Sequence, residues 1–487
     1  MDRQYTRRSH GLLVAASAAF AVSLASGGHA LAQAASGLSP QEVEQLRAEL
    51  KAVRAEAQAA HAQEAAREQK IDELQRRLDT ATGAPPTPPI ATIEPAQQGA
   101  KAARAEGGPN FEIYGFAQVD YTQDFNRVNP AWEDALRPSR LPTFKGEFGE
   151  NGQSSISAKQ SRFGVQASQD IAGQPLFVKF EFDLFGVGAD EGQTTMRLRH
   201  FYGQWGPILG GQTNTNWMDV DIFPNTMEYW GPPGMVFLRN PQIRYTYKTG
   251  GNELAVAIEK PGNDVDAGNI REFDPNLGNS IQGSEKIPDL TAHWRYNGDW
   301  GHIQLGGILR QVGFDTAGTP DNQPKGHKTG WGLNLTGNIK TWQKDVLHLG
   351  IVYGEGIATY MNDGGVDLGP KANVFVPVVG GPPVVTLAPD VLPLTGALIY
   401  YDHYWNDRWS TALGWSVTHV DNLNFQEATA FQTGQYASVN LLWTPEKHIL
   451  AGAEYIWGQR EGRDGFHSQD NRVQFSFKYS FSSNDFR

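Results

Sequence analysis

The chain has no cysteine, no net positive charge and, past its first few dozen residues, no long apolar run. Without cysteine there is no disulfide framework, and the composition is compatible with an oxidising compartment without requiring one. With 41 Lys and Arg against 53 Asp and Glu, the net charge of -12 argues against nucleic acid as a partner of the surface as a whole, although local basic clusters can lie beneath it. A spanning helix needs ~20 consecutive apolar residues, and none follows the N-terminal segment. No motif calls for a cofactor or a metal. His467 and Ser468 are neighbours in a polar stretch, but adjacent residues of an extended chain face opposite ways and no third partner is recognisable. An enzyme is therefore not expected.

What the 487 residues do contain is 54 Gly, 13 Trp, 16 Tyr and 24 Phe, with a negative mean hydropathy. A soluble all-β protein and a membrane β-barrel both fit such numbers, because barrel strands hide their apolarity by alternating it.

Residues 1–32 read as a secretory signal peptide: Arg3, Arg7 and Arg8 precede an apolar stretch from Gly11 to Leu24, and Ala30-Leu31-Ala32 offers a cleavage site before Gln33. Residues 39–79 read as a coiled coil. Ser39, Pro40 and Glu42 supply a helix start, and Val43, Leu46, Leu50, Val53, Ala57, Ala60, Ile71, Leu74 and Leu78 recur at spacings of three and four, with Glu64 and Arg67 weakening the middle of the seam. Such a coil implies an oligomer without fixing two strands against three. Residues 80–109, rich in proline and small side chains, form a linker, and residues 110–487 are the main domain.

There the chain alternates at period two, as in Val473, Phe475, Phe477, Tyr479 and Phe481 against Arg472, Gln474, Ser476, Lys478 and Ser480. The connections decide the architecture. Seven short turns, at about 169–174, 206–207, 249–252, 297–301, 341–344, 406–408 and 445–447, alternate with eight longer polar ones, at about 126–155, 186–195, 216–239, 260–286, 315–327, 359–394, 421–432 and 460–471. The expectation is an all-β antiparallel transmembrane barrel of about 16 strands, with short periplasmic turns and long external loops. Trp205, Trp300, Trp342, Trp405 and Trp409 fall at the short turns, where an aromatic girdle belongs.

A barrel of ~16 strands encloses an aqueous channel, so selectivity rests on what narrows and charges it. The 216–239 loop is unusually aromatic, with Trp217, Phe223, Tyr229, Trp230 and Phe237 stiffened by three prolines, and folding it inward would bury those rings. Parity turns Arg162, Lys179, Arg197, Arg199, Arg244, Arg295 and Arg310 toward the lumen, and Arg239 stands at the loop's end. Guanidinium forks match carboxylates, so such a constriction draws in small anionic solutes. The plainer reading has these arginines neutralising lumen carboxylates such as Glu181, Asp183, Glu253 and Glu454. His200 is left facing outward with Leu198 and Tyr202, against a neighbouring subunit.

At RLRHFYGQW (Arg197 to Trp205), GGQTNTNW (Gly210 to Trp217), EYWGPPGMVFLRNPQIRY (Glu228 to Tyr245) and GAEYIWGQREG (Gly452 to Gly462) the sequence resembles the DcaP-like family of trimeric outer-membrane porins. The resemblance implies a homotrimer of 16-stranded barrels in the outer membrane of a Gram-negative bacterium, coils in the periplasm, passing dicarboxylates through an arginine-lined constriction. The tail after Phe481 departs from that pattern. Two alternatives stand beside it: a sugar or general-diffusion porin with Trp217, Tyr229 and Trp230 as an aromatic track, and a structural tether whose coil reaches the peptidoglycan.

Overall fold

A computed structural model describes residues 110–186, 195–376 and 384–486. The expected leader, coiled coil and linker lie outside these residues. The described chain is a closed antiparallel barrel of 16 strands. In order they are β1 (Asn110–Asp124), β2 (Gln153–Ser157 continued by Arg162–Ile171), β3 (Gln174–Asp183), β4 (Arg197–Trp205), β5 (Ile208–Asn214), β6 (Arg239–Thr249), β7 (Asn252–Glu259), β8 (Asp289–Gly298), β9 (Gly301–Thr316), β10 (Gly326–Lys340), β11 (Val346–Glu355), β12 (Pro393–Tyr404), β13 (Trp409–Val420), β14 (Phe431–Glu446), β15 (Ile449–Gly462) and β16 (His467–Ser482). The barrel closes where β1 pairs with β16, from Tyr114 opposite Ser482 to Asp124 opposite Arg472.

The distribution of polarity is inside out. Leu335, Leu305, Ile351, Leu441, Phe475 and Phe477 are exposed on the outer face, while Gln304, Asn334, Thr336, Asn440, Gln474 and Ser476 between them are buried. Contiguous exposed apolar surface on this scale is foreign to soluble monomers and is what a lipid-facing barrel presents. The five tryptophans at the short turns are all exposed on that face.

The connections keep the expected alternation with one exception. The last hairpin is not a long loop: β15 runs to Gly462 and β16 starts at His467, so four residues suffice. His467 lies 3.9 Å from Glu461 and Ser468 donates to the Pro142 carbonyl, so the two do not address each other. The tail after Phe481 is a short 3-10 turn, Ser483–Phe486, folded back on the barrel seam. Ser483 Oγ accepts from the Ile113 amide at 3.0 Å, and Lys447 Nζ lies 2.7 Å from Asp485.

The lumen is partly filled. The 215–238 loop turns inward and, with the 125–152 and 356–392 loops, builds an apolar core inside the barrel around Leu136, Trp217, Ile222, Met235, Ile357, Tyr360 and Tyr400. Inward-facing glycines make room for it, as glycine in a strand does where another backbone or a bulky side chain comes close. A Cβ on Gly332 would sit 2.8 Å from the Trp217 ring, one on Gly306 2.9 Å from it, and one on Gly452 2.7 Å from Met227 Sδ.

Candidate functional site

The inward loop is fastened first at its root. Glu259, the last residue of β7, accepts from Thr215 Oγ1, the Asn216 amide and Thr291 Oγ1, each at 2.8 Å. Asp219 accepts from Thr336 Oγ1 at 2.7 Å and lies 2.7 Å from His302 Nε2 and 3.2 Å from Arg295. Asn334 and Gln304 reach from the wall to the carbonyls of Trp217 and Met218. Across the barrel Glu454 accepts from the amides of Met227 and Glu228 at 2.5 and 3.0 Å, and Asn440 donates to the Asn225 carbonyl. Buried backbone polar groups must be satisfied, and polar side chains on the lumen wall do this for the loop.

Beside this loop runs a cavity of about 890 Å³. Seven cationic side chains line it, Arg137, Arg140, Arg162, Arg197, Arg199, Arg239 and Lys478, against two carboxylates, Glu228 and Asp264. Both acids sit on loops and both are raised above the ordinary carboxylate range. Burial does this for Glu228, although it accepts from the amides of Leu136 and Gly231; for Asp264 burial is joined by the neighbouring Asp367. The balance of the lining is therefore strongly positive.

The expected site residues separate into three groups. Arg162, Lys179, Arg197 and Arg199 converge on Glu181 and Asp183. Arg197 is bidentate to Asp183 at 3.1 and 2.7 Å, while Arg199 spans Glu181 at 2.8 Å and Asp183 at 2.9 Å. Lys179 lies 3.2 Å and Arg162 3.6 Å from Glu181. Arg239 has no carboxylate within ion-pairing distance among the described residues, and its guanidinium stands 4.9 Å over the Phe237 ring. Four cations thus share two acids, and Arg239 stands beside them without one.

The second group is structural. Arg310 is buried between Asp289 and Asp367, 3.3 Å from each, and donates to the Gly356 carbonyl, so it holds the 356–392 loop. Arg295 bridges Asp219 and Asp221 beneath the inward loop. Asp219, Asp221 and His302 are close enough to share a metal, but their polar atoms already meet Arg295, Thr336 and each other. Trp217 is fully buried against the wall, so it lines no channel. Arg244 lies farther toward the short-turn end of β6, level with Leu209 and Ala257, and is not part of the cavity lining. Of the arginines expected to face the lumen, Arg244 is thus set apart from Arg199 and Arg239.

The third group is aromatic. Tyr229 donates to Asp183 at 2.9 Å and stacks on Phe185 with centroids 3.8 Å apart. Trp230 carries Arg137 on its ring at 4.0 Å and donates to the Asn362 carbonyl. Arg137 is in turn 2.9 Å from Asp363 and 4.5 Å from the Trp132 ring.

His200 faces inward, contrary to parity. The register slips between Glu181 and Phe182: Glu181 pairs with His200 and Phe182 with Leu198, leaving Arg199 as the extra residue of a bulge. From there the faces of β4 exchange, so Tyr202 also turns in and Phe201 turns out to 57% exposure. His200 lies 2.9 Å from Thr213 Oγ1. Sequence reasoning also missed Arg137, Arg140 and Lys478. Lys478 stood on the polar face of an alternating strand and was legible there, whereas nothing in a long loop marks Arg137 or Arg140.

A family model, DcaP outer membrane protein, matches residues 101–364, more than half of the chain. The chain belongs to the DcaP outer membrane protein family. A crystal structure from that family, the outer membrane channel DcaP of Acinetobacter baumannii, is 22% identical, with a TM-score of 0.62 over 78% of this chain and 99% of that chain. OmpT of Vibrio cholerae is 12% identical at a TM-score of 0.47 over 78% of this chain and 100% of that one. An anion-selective porin from Comamonas acidovorans is 9% identical at 0.47 over 77% and 100%. No curated protein matches the sequence. The DcaP channel supports the barrel fold, and membership of the family puts the chain in the outer membrane.

Proposed function

We propose that this DcaP-family protein is a porin through which small anionic solutes, dicarboxylates in particular, diffuse passively past a constriction formed by the inward 215–238 loop. The observation that carries this reading is the excess of cations over carboxylates lining the cavity, seven to two, with Arg239 lacking any counter-ion among the described residues. A lumen of that sign concentrates anions and repels cations even though the whole chain is acidic. Glu181 and Asp183 hold Arg197 and Arg199 extended and orient them, so these arginines shape the passage while Arg239 supplies free charge.

In this reading the short turns face the periplasm, residues 39–79 act as a periplasmic coiled coil, and the molecule assembles as a homotrimer. A sugar porin is less well supported: a sugar track needs open ring faces, and Tyr229 already stacks on Phe185 while Trp230 already carries Arg137.

The test is reconstitution of the purified protein in planar bilayers, with reversal potential measured in a salt gradient and single-channel current recorded with and without succinate. Anion preference with dicarboxylate block is the expected result. Cation preference, or a selectivity unmoved by Arg239→Gln, overturns it.

A further inference from the structure

Near the strand that carries Glu181 and Asp183, β1 pairs with β2 and turns Phe116 toward the lumen. Phe116 is half-buried and lines the cavity. The Arg162 guanidinium, directly across in β2, stands 5.1 Å from its centroid. The Lys478 ammonium, from β16, stands 5.3 Å from it, and Lys478 pairs with Gln118 two residues along from Phe116. Two cations from different strands therefore share one ring.

Cation–π contact of this kind contributes ~0.5–1 kcal/mol at partly exposed sites and holds a side chain extended, but it brings no counter-charge. Nor is one at hand. Among the described residues Lys478 has no carboxylate within ion-pairing distance. The acid on the same wall, Asp120, accepts from Gln118 at 2.9 Å and from Ser476 at 2.5 Å. Arg162 reaches only Glu181, at 3.6 Å, and that carboxylate is already met by Arg199, Lys179 and the Tyr114 hydroxyl. The neutral donor Gln160 is likewise engaged, with the Met227 carbonyl.

We propose that Lys478 and Arg162, both set against the Phe116 ring, form a second anion station that takes a carboxylate or phosphate oxyanion, adjoining the group around Arg197, Arg199 and Arg239 and sharing Arg162 with it. The inference rests on the porin reading. Two like charges facing water across one ring repel each other, and an oxyanion between them relieves that repulsion. A solute crossing the lumen then passes from one cationic station to the next, the arrangement that lets binding be favourable without trapping the ion.

The absence of native cysteine allows a clean experiment. Lys478→Cys in the full-length protein is measured in bilayers under a KCl gradient, before and after modification with a methanethiosulfonate carrying either an ammonium or a neutral group, and with inorganic phosphate as the blocking probe. Lys447→Gln, at a short turn and outside the cavity lining, serves as the reference. The expected result is an anion-to-cation permeability ratio lowered about threefold by Lys478→Cys, with weaker phosphate block. The ammonium reagent restores both and the neutral one restores neither. A Lys478→Cys channel with wild-type selectivity and block overturns the station while leaving the porin reading intact. So does an equal loss in Lys447→Gln. A wild-type channel without anion preference overturns the porin reading itself.

Discussion

Gly332 shows how a residue with no side chain shapes the lumen. It lies on the inward face of β10 between Trp331 and Leu333, and its missing Cβ is the space in which the Trp217 ring rests. Gly306, across the register on β9, completes the socket opposite Asn334. Gly332→Leu therefore forces Trp217 out of its seat. Overpacking of this kind costs ~1–3 kcal/mol, and the loop moves with the ring. The expected outcome is a lower unfolding temperature, read from the heat-induced mobility shift on gels, together with altered single-channel conductance. The outward Gly210, which a Cβ leaves free of close contact, tolerates Ala without either change. A wild-type conductance in Gly332→Leu would show that the Trp217 seat does not set the bore. These glycines were legible as a pattern, since they recur on the polar face of strands where a porin has no need of them. What their sequence did not reveal is the partner, because Trp217 lies 115 residues from Gly332 and 89 from Gly306. His200 is the converse case. Its inward turn follows from one extra residue opposite Glu181, and a bulge without glycine leaves no local mark.

The 215–238 loop is an element whose shape is set from outside itself. Its aromatic and proline content announced that it does not wave in water, but its path is drawn by wall residues: Glu259 at the root, Asp219 met by His302 and Thr336, and Glu454 at the far end. Glu259→Gln presents an amide N–H₂ to a site filled with donors and leaves buried groups unpaired, at ~1–3 kcal/mol. The expected outcome is a thermal or urea midpoint lowered accordingly and rising open-channel current noise as the root frays. Asp219 gives the loop a pH dependence. Burial works to raise its carboxyl, but the hydrogen bond and charge of His302, the Thr336 hydroxyl and Arg295 outweigh this and hold it below the ordinary carboxylate range. A carboxyl lowered on folding stabilises the fold fully above its unfolded value, ~3.9, and the contribution is lost as pH falls through the lower folded value. The Asp219 contribution to current noise in the wild type is therefore expected to appear as a climb below pH ~4. In Asp219→Asn the noise is raised throughout and this acid onset is absent. An onset of equal size in both proteins would assign the transition to other groups. Which arginines are free and which are held was not readable from the strands alone, because Asp183 meets Arg197 only through the pairing register of β3 and β4.

At the scale of the whole molecule, strand number and connectivity were open to sequence because both are local: period-two alternation names each strand, and turn residues name each end. The one miss, the long loop expected at 460–471, arose where polar alternation continues past the membrane and strand cannot be told from loop by polarity. The same inside-out logic makes a quantitative prediction for the lipid face. Leu335 on β10 is 44% exposed and pairs with Leu305 and Ile351, so it sits in the middle of the apolar band. Ile339 lies on the same outer face, four residues nearer the short turn and opposite Gly301. A guanidinium at the midplane of a barrel's lipid face costs ~2–4 kcal/mol, and near an interface ~0–1. Leu335→Arg is thus expected to lower folding free energy in lipid vesicles by the larger amount and Ile339→Arg by the smaller, measured by urea titration of tryptophan fluorescence. Equal effects at the two positions would mean that this stretch of β10 is covered by protein rather than lipid, which in a homotrimer would place it at a subunit contact. The pair therefore measures at once the depth of the apolar band and which side of the barrel faces the bilayer.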